Sequence, residues 1–333
     1  MTEYVSTTPG LYPLPDWAKD DLSDLKGHQK HDLISGDESD GITAAYEEAR
    51  EDVIGVQQDA GLDRIVEGQL RWDDMLAHPL AVADVVETRG IVRYYDNNNF
   101  YREPVVTDDL EPTGDVASEL ERRWTEPAVT ICRPSSPART RFPISRLTST
   151  TATTATSSRR SRRFSRAKST PSRLTRRWSC SSLAGREPAA DGEDARASEA
   201  IDRVASATDA DVVVQPYWGA LEEKVYAHLL DADIDAVGFD FVANQDDNLY
   251  NIQEYGTTDD VALGLADGQN TLVEDPEAIR DRTEWVEGQL GVTEFETVYL
   301  TTNTETFYLP YGKYVAKLEA LAEAADLAEV TAA

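Results

Sequence analysis

Five polar residues stand where apolar segments of this chain end. Each follows a short run rich in Val, Leu, Ile or Phe: Gln69, Gln215, Asp240, Asp267 and Asn303. A single polar residue at the end of a strand is usually just the start of a loop. Five such residues favour a polar pocket, because the carboxyl ends of parallel strands in a barrel converge at one face, where ligands bind and chemistry occurs.

The segments that would position these residues alternate between strand and helix. Predicted strands cover residues 7–13, 63–69, 211–217, 235–242, 261–267 and 297–303. Predicted helices cover residues 41–61, 220–231, 275–291 and 312–330, and Gly61 is the predicted C-cap of the first. Near-continuous apolar strands that alternate with helices indicate a parallel sheet covered by helices.

The number of strand-helix units indicates a closed barrel. Six strands are legible in the acidic parts of the chain, and two more emerge from a central basic block when it is read in another frame, as described below. Eight units predict an α/β fold of the (β/α)8 TIM-barrel class. An open doubly wound sheet is the alternative, but the chain has no G-x-G-x-x-G or G-x-x-x-x-G-K phosphate loop.

The chain is strongly acidic, with 62 Asp and Glu against 32 Lys and Arg in 333 residues, and a formal net charge of -30. Its acids are scattered, which is typical of a halophilic protein whose surface repulsion is screened by salt. This surface disfavours nucleic-acid binding. We expect a cytoplasmic protein, because no apolar run could span a membrane, the start lacks a secretory signal, and only 2 Cys occur.

Residues 130–182 form a basic block that differs from the rest of the chain. The block is rich in Ser, Thr and Arg, has no Asp or Glu, and contains both cysteines, Cys132 and Cys180. Three interpretations compete: a disordered basic linker, an Arg/Ser-rich RNA-binding arm, or translation in the wrong reading frame. The predicted organisation is a first part of the barrel over residues 1–129, the block, and a second part over residues 183–333.

The reading-frame hypothesis can be tested on the sequence. Reading each codon one base early turns Thr codons into Asp, Asn, His or Tyr codons, and Ser codons into Val, Leu, Ile or Phe codons. Permitted codons then give the strand-like strings AVLPGPYTF and TLVVLE and the helix-like string FLAGEVDAF. Two compensating frameshifts, one near residues 122–129 and one near Ser182, would therefore have scrambled two central strand-helix units.

One predicted loop carries a further candidate. Residues 94–104, YYDNNNFYREP, are polar and aromatic, and could either line a pteridine or nucleobase-like ligand or form an ordinary surface connection. Arg102 is the one basic residue in this loop, and it could bind a folate carboxylate or a glutamyl tail.

Several segments, taken in order, resemble cobalamin-independent methionine synthases, in particular their barrel. TTPGLYPLPDW resembles T-T-x-G-S-F-P, QQDAGLDRIVEGQLRWDDM resembles Q-x-x-x-G-L-D-V-L-V-x-G-E-x-x-R-x-D-M, and GLADGQNTLVEDPEAI resembles G-V-x-D-x-x-S-x-x-V-E-x-x-E-E-I. The early-frame strings PGPYTF and LVVLExSL resemble two further motifs, G-P-x-T and D-E-P-x-L, which are absent from the chain as written.

The resemblance implies a methyltransferase that moves a methyl group from methyl-folate, or a related pterin, to the sulfur of homocysteine in methionine biosynthesis. In the family a zinc ion lowers the pKa of that thiol. The family's zinc-ligand positions hold Gln215, Tyr217, Asp240 and Thr304 here. Gln215 and Tyr217 are poor zinc ligands and no thiolate is available, so the resemblance implies a barrel without the metal site.

Positions on the substrate side also differ from the family: Leu11 stands for Ser, Gln69 for Glu and Trp72 for Arg. The candidate substrate-binding residues are Gly10, Gln69, Asp74, Arg102, Asp240, Asp267 and Asn303. Two functions remain open. One is a methyltransferase component of this family, and the other is a non-catalytic ligand-binding or scaffold barrel that works beside a separate zinc-bearing barrel protein. Small molecules are the expected substrates, and neither nucleic acid nor membrane is an expected partner.

Overall fold

A computed structural model of the chain describes residues 2–22, 40–71, 83–93, 100–109, 131–132, 177–178, 193–206, 211–216, 219–290 and 295–332. The strands are β1 (Glu3–Ser6), β2 (Val86–Arg93), β3 (Phe100–Val106), β4 (Ile131–Cys132), β5 (Arg177–Trp178), β6 (Val213–Val214), β7 (Ala236–Asp240), β8 (Asp260–Ala266) and β9 (Thr297–Thr302). The helices are α1 (Asp16–Asp21), α2 (Asp40–Asp59), α3 (Glu193–Ala205), α4 (Glu223–Leu229), α5 (Gln245–Tyr255), α6 (Pro276–Leu290) and α7 (Tyr311–Ala332).

Five strands form a parallel sheet in the order β1-β9-β8-β7-β6. Every neighbouring pair is parallel, and the first strand of the chain lies beside the last. Helices α4, α5, α6 and α7 follow β6, β7, β8 and β9 in turn. The predicted α/β architecture with a parallel sheet is confirmed, and the carboxyl ends of all five strands lie at one edge.

Both faces of this sheet are buried, as a parallel sheet requires. One residue from each of the five strands contributes to a small apolar layer on one face: Val5, Val213, Ala236, Ala262 and Tyr299. Residues that alternate with these pack with the helices in the larger core. None of the helices in the described ranges combines the length and the apolarity needed to cross a membrane.

Helix α2 ends where its sequence predicts. The Gly61 N–H donates to the Gln58 carbonyl at 3.0 Å, and the Leu62 N–H donates to the Gln57 carbonyl at 3.1 Å. These two bonds form a Schellman motif, which requires the left-handed conformation that Gly61 adopts at φ 83°. Helices α4, α6 and α7 also lie close to their predicted ranges.

No prediction covered helices α3 and α5. Helix α5 shows why, because Asn248 and Asn251 are buried on it together with Leu249 and Ile252. The Asn251 side chain donates to the Leu221 carbonyl at 2.8 Å. A helix face that mixes amides with apolar residues does not show the apolar periodicity on which helix prediction depends.

The prediction of a strand over residues 7–13 is wrong. Strand β1 ends at Ser6, immediately before this segment. Pro9 has no backbone N–H to donate, and Gly10 and Leu11 have left-handed φ values of 84° and 58°, which regular strand geometry excludes. The segment is a buried connection from β1 towards α1.

The predicted strand over residues 63–69 is reduced to one bridging residue, Val66. The Arg64 N–H donates to the Ser6 carbonyl at 3.2 Å, and the Asp63 carboxylate accepts the Ser6 N–H at 2.8 Å. The segment therefore runs beside β1 but pairs with it only briefly. It ends in a left-handed turn at Gly68.

Strands β2 and β3 form an antiparallel hairpin, which corrects the predicted loop over residues 94–104. Residues 100–104 belong to β3, and Arg102 lies opposite Ile91. Aromatic and β-branched residues in FYREPVV favour a strand here. Residues 94–99 lie outside the described residues.

Strands β4 and β5 lie in the basic block, where no strand was expected in the chain as written. They pair in parallel, Ile131 with Arg177 and Cys132 with Trp178, and β5 lies against β6. The structure gives no support to a scrambling of these two units. The rest of the block lies outside the described residues.

Candidate functional site

Three of the predicted polar residues meet at the carboxyl ends of β6, β7 and β9. We call Gln215, Asp240 and Asn303 the carboxyl–amide cluster. The Asn303 Nδ2 donates to Asp240 Oδ1 at 3.1 Å. The Gln215 Nε2 donates to the Thr302 carbonyl at 2.9 Å. All three are buried, so they interact in a low-dielectric environment in which polar contacts are strong.

Asp240 is the ionisable centre of the cluster. It is completely buried, and its Oδ1 accepts the N–H groups of Val242 at 3.0 Å and Ala243 at 2.9 Å in addition to Asn303. Its Oδ2 is buried and has no hydrogen-bond partner within the described part of the chain. Burial raises the pKa of this carboxyl, the three hydrogen bonds oppose that effect, and the nearby charge of Asp267 adds to it.

Asn303 joins two loops to the cluster. Its Oδ1 accepts the Gly268 N–H at 2.9 Å, and its own N–H donates to the Ala266 carbonyl at 2.8 Å. Small residues permit these contacts. A Cβ at Gly264 would lie 2.6 Å from Asn303 Cα, and a Cβ at Gly268 would lie 2.5 Å from the carbonyl of Thr304.

Gln215 reaches the sheet edge for a similar reason. A Cβ at Gly238 on the neighbouring strand would lie 2.6 Å from both Cβ and Cγ of Gln215. Glycine at this position therefore gives the amide room to lie across β7 and to bond to the end of β9. The glutamine thus links the outer strand of the sheet to Thr302 and Asn303.

Asp267 lies at the rim of the cluster. Its side chain is half-buried, and its Oδ1 accepts the Gln269 N–H at 2.9 Å. The Gln269 Nε2 contacts Glu305 Oε1 at 3.3 Å, and the Thr304 hydroxyl donates to the same carboxylate. Glu305 is completely buried. No prediction included it, although an acid within the short polar run TTNTETFY was the available sign.

Gly10 and Gln69 meet at the other side of the sheet edge, beside β1. A Cβ at Gly10 would lie 3.0 Å from Gln69 Oε1. Residues 9–12 and 67–70 form two turns that we call the paired turns, and the Tyr12 N–H links them by donating to the Gly68 carbonyl at 3.0 Å. Each turn contains one glycine and one other residue with positive φ, Leu11 at 58° and Gln69 at 51°.

A group of buried charges lies in and beside the paired turns, and no prediction included it. The Glu67 carboxylate accepts the Gln69 N–H at 3.0 Å and lies 3.8 Å from the Arg50 Nε. The Arg71 guanidinium lies over the Tyr46 ring, 5.0 Å from its centre. Arg50 lies on the buried face of α2, and charge on a helix face that otherwise reads as apolar was the sign available in the sequence.

The remaining predicted site residues are not part of either group. Asp74 and Tyr217 lie outside the described residues. Arg102 lies in β3 of the separate hairpin. Thr304 follows β9, and its hydroxyl bonds to Glu305.

The donor set at the sheet edge does not fit the zinc site that the resemblance implies for the family. The Gln215 amide nitrogen donates to a carbonyl, the Thr304 hydroxyl donates to a carboxylate, and Asp240 already accepts three hydrogen bonds. These groups supply neither imidazole nor thiolate. In the described ranges, no group of three or more His, Cys, Asp or Glu side chains could hold a metal ion.

Comparisons with known proteins agree with this architecture. No protein-family model and no curated protein matches the chain. A B12-independent methionine synthase from Shewanella sp. W3-18-1, solved in complex with selenomethionine, matches with a TM-score of 0.66 and 15% identity, covering 99% of both chains. This chain has a methionine-synthase-like fold. A Listeria monocytogenes protein, provisionally identified as a vitamin B12-independent methionine synthase, matches with a TM-score of 0.61 and 12% identity over 98% of both chains.

Proposed function

We propose that this chain is a component of a methionine-synthase-type methyltransferase system, in which a methyl group passes from methyl-folate or a related pterin to homocysteine. The observation that carries the proposal is the carboxyl–amide cluster at the carboxyl ends of parallel strands. This is the place where barrel enzymes bind their ligands. The end-to-end similarity in fold to methionine synthases supports it.

The cluster would bind the polar part of an amino-acid ligand such as homocysteine or methionine. The Oδ2 of Asp240 is a buried acceptor without a hydrogen-bond partner in the described ranges, and an ammonium group would supply the partner that a buried polar group needs. Asn303 and the main-chain N–H groups of Val242 and Ala243 fix the orientation of this carboxyl. Gln69 would add an amide from the paired turns.

A specific observation favours a second function, that of a non-catalytic ligand-binding or scaffold barrel. The donor set at the sheet edge lacks imidazole and thiolate, so these residues do not supply the zinc that activates a thiol in the family. Under this second function, a separate zinc-bearing barrel protein performs the methyl transfer. The present chain binds substrates beside it.

Two measurements on the purified chain distinguish these functions. Calorimetric titration with L-methionine should show saturable binding, weakened at least about tenfold in D240N and unchanged in D246N, an exposed acid on α5. Methionine formation from homocysteine and a methyl-pterin by the isolated chain would support the methyltransferase. Binding without turnover would support the scaffold barrel, and absence of binding would contradict both.

We propose further that the sheet closes into a full (β/α)8 barrel. The segment around Val66 runs beside β1, β4 pairs with β5, and β5 lies against β6. With the five strands of the parallel sheet, these elements provide eight positions in ring order. A crystal structure in which the segment around Val66 and β4 lie apart, on different faces, would contradict closure.

We keep the reading-frame hypothesis for residues 130–182 as a proposal, which the composition of the block and the strand-like and helix-like strings of its early frame support. The gene's nucleotide sequence tests it, since stop codons in the early frame, or the absence of an acidic pattern there, would refute it. The alternative of an RNA-binding arm predicts RNA affinity that falls steeply with salt. A disordered linker predicts neither an open, acidic early frame nor salt-dependent RNA affinity.

We also propose that the protein works in a salt-rich cytoplasm. The formal net charge of -30 implies strong self-repulsion at low ionic strength. The melting temperature should therefore rise as KCl is increased from about 0.1 M to 1 M, the range over which the Debye length falls from about 10 Å to 3 Å. An unchanged melting temperature would contradict the halophilic assignment.

A further inference from the structure

Lys317 is a buried cation that none of the roles above uses. It lies on α7 on the same face as Tyr314, Leu318 and Leu321, and all four side chains are completely buried. Its Nζ donates to Glu274 Oε2 at 2.7 Å and to the Leu272 carbonyl at 2.6 Å. Burying a lysine destabilises a fold unless its hydrogen-bond partners are held in place. Lys317 therefore requires Glu274 and the Leu272 carbonyl at fixed positions.

Both partners of Lys317 belong to the loop that connects β8 to α6. The other oxygen of Glu274, Oε1, accepts the Asp267 N–H at 2.9 Å. The lysine and the glutamate therefore hold the loop at three points, Asp267, Leu272 and Glu274. Leu272 itself has an exposed side chain, so its backbone carbonyl, rather than apolar packing, ties that part of the loop to α7.

The same loop orients Asn303. Gly268 follows Asp267 directly, and its N–H donates to Asn303 Oδ1 at 2.9 Å. This bond directs the Asn303 Nδ2 towards Asp240 Oδ1, at 3.1 Å. A continuous chain of contacts thus runs from Lys317 through Glu274, the loop and Asn303 to the Asp240 carboxyl.

We propose that Lys317 and Glu274 are positioning residues for the carboxyl–amide cluster. They touch no ligand themselves. They hold the loop over residues 267–274 so that the Gly268 N–H fixes the Asn303 amide, and through it the Asp240 carboxyl that faces the ligand. The ligand-binding part of this inference rests on the proposed function, whereas the orientation of Asn303 does not.

The experiment compares the paired variant K317M/E274M with the wild-type full chain. Replacing both partners of a buried ion pair with apolar residues of similar size leaves stability little changed or increased. K317M alone leaves Glu274 unpaired and serves only to show the pair's contribution to stability. The matched control is K313M, which removes an exposed lysine from the same helix.

Three readouts follow from the proposal. In the ligand-free paired variant, hydrogen exchange at the Gly268 amide should accelerate at least about tenfold, and the Asn303 side-chain amide resonances should shift, while the melting temperature stays near that of the wild type. L-methionine affinity should fall about tenfold, the effect of losing one hydrogen bond of ordinary strength. The exchange rate, the resonances and the affinity should all be unchanged in K313M.

The possible outcomes separate the positioning role of the ion pair from the proposed ligand binding. Unchanged Gly268 exchange and Asn303 resonances in a stable paired variant would overturn the positioning role. If the wild type does not bind L-methionine, the proposed function fails, but the exchange and resonance measurements still test the positioning role. A paired variant in which both the stability and the L-methionine affinity equal those of the wild type would assign the ion pair to folding alone.

Discussion

The carboxyl–amide cluster and the paired turns lie at the same edge of the sheet but are built in different ways. In the cluster, regular strands end at predicted positions, and side chains of Gln215, Asp240 and Asn303 hold one another. In the paired turns, backbone conformation does this work, since four residues have positive φ and only two are glycine. The comparison shows that one edge of a sheet can combine positions that are predictable from apolar strands with positions that depend on strained backbone.

The substitution expected to disrupt the cluster most is N303D, which should cause the largest loss in the free energy of unfolding. The substitution keeps the shape of the side chain but places a second carboxylate about where the amide now donates to Asp240. At neutral pH it should lower the free energy of unfolding by about 3–5 kcal/mol, because a buried charge loses its compensation. Urea unfolding measures the change.

The control for this variant is N270D, at an exposed position in the β8–α6 loop where the side-chain oxygen accepts the Leu272 N–H. Aspartate can make the same contact, so a change within about 0.5 kcal/mol is expected. The N303D loss should diminish on acidification, as one carboxyl gains a proton. A loss that is small, or independent of pH, would show that the amide and Asp240 are not in contact.

The paired turns can be broken through their backbone with G68A. Gly68 has φ 94°, and a Cβ there would lie 2.8 Å from Tyr12 Cδ2. Left-handed strain and overpacking together should lower the free energy of unfolding by about 2–4 kcal/mol. G55A is the matched control, because Gly55 lies in α2 with nothing within 4 Å of its added Cβ, and it should stabilise the chain by about 0.5–1 kcal/mol. Equal melting temperatures for the two variants would refute this account.

The pH dependence of stability isolates Asp240. Burial raises the pKa of its carboxyl above the ordinary value of 3.8, so the folded chain holds this proton more tightly than the unfolded chain does. The stability contributed by Asp240 is therefore greatest at acid pH and is lost as the pH rises from the ordinary pKa through the raised one. D240N has no ionisable group at this position. Its free energy of unfolding should therefore increase relative to that of the wild type as the pH rises from pH 4 to pH 7.

The gain cannot exceed about 1.4 kcal/mol per pH unit for a single carboxyl. Urea unfolding at a series of pH values gives the difference curve. A difference that stays flat, or that moves in favour of the wild type as the pH rises, would show that Asp240 is not held with a raised pKa.

A smaller effect is expected for G10A in the paired turns. Gly10 has φ 84°, and an added Cβ would lie 3.0 Å from the end of the Gln69 side chain, which can move. The cost should be close to the left-handed penalty of about 1–2 kcal/mol, below that of G68A. Thermal unfolding of both variants checks the ranking, and a larger loss in G10A would mean that Gln69 is rigidly held.

The contrast between the two regions also explains what the sequence could predict. Strands β7, β8 and β9 are buried along almost their whole length and each contains a run of apolar residues, so these strands and the polar residues at their ends could be predicted from the sequence. The paired turns could not be predicted from apolar runs in this way. Apolar residues such as Leu11 and Leu70 are buried there without belonging to regular strands, and φ values cannot be read from composition.

Contacts between residues that are far apart in the chain also could not be predicted from the sequence. Lys317 lies 43 positions from Glu274, and nothing local marks them as partners. The only sign was one lysine on the apolar face of α7. Asn303 was predicted as a site residue, but its role as the link between Gly268 and Asp240 depends on the parallel register of β7, β8 and β9.

The most direct test of the central claim is an amide-resolved NMR titration of the full chain with L-methionine. Saturable shifts are expected at Gly268, at Val242 and Ala243 beside Asp240, and at the side-chain amides of Gln215 and Asn303. Shifts confined to the outer helices, or no saturable shifts at all, would contradict the claim that the carboxyl ends of these strands form the binding site.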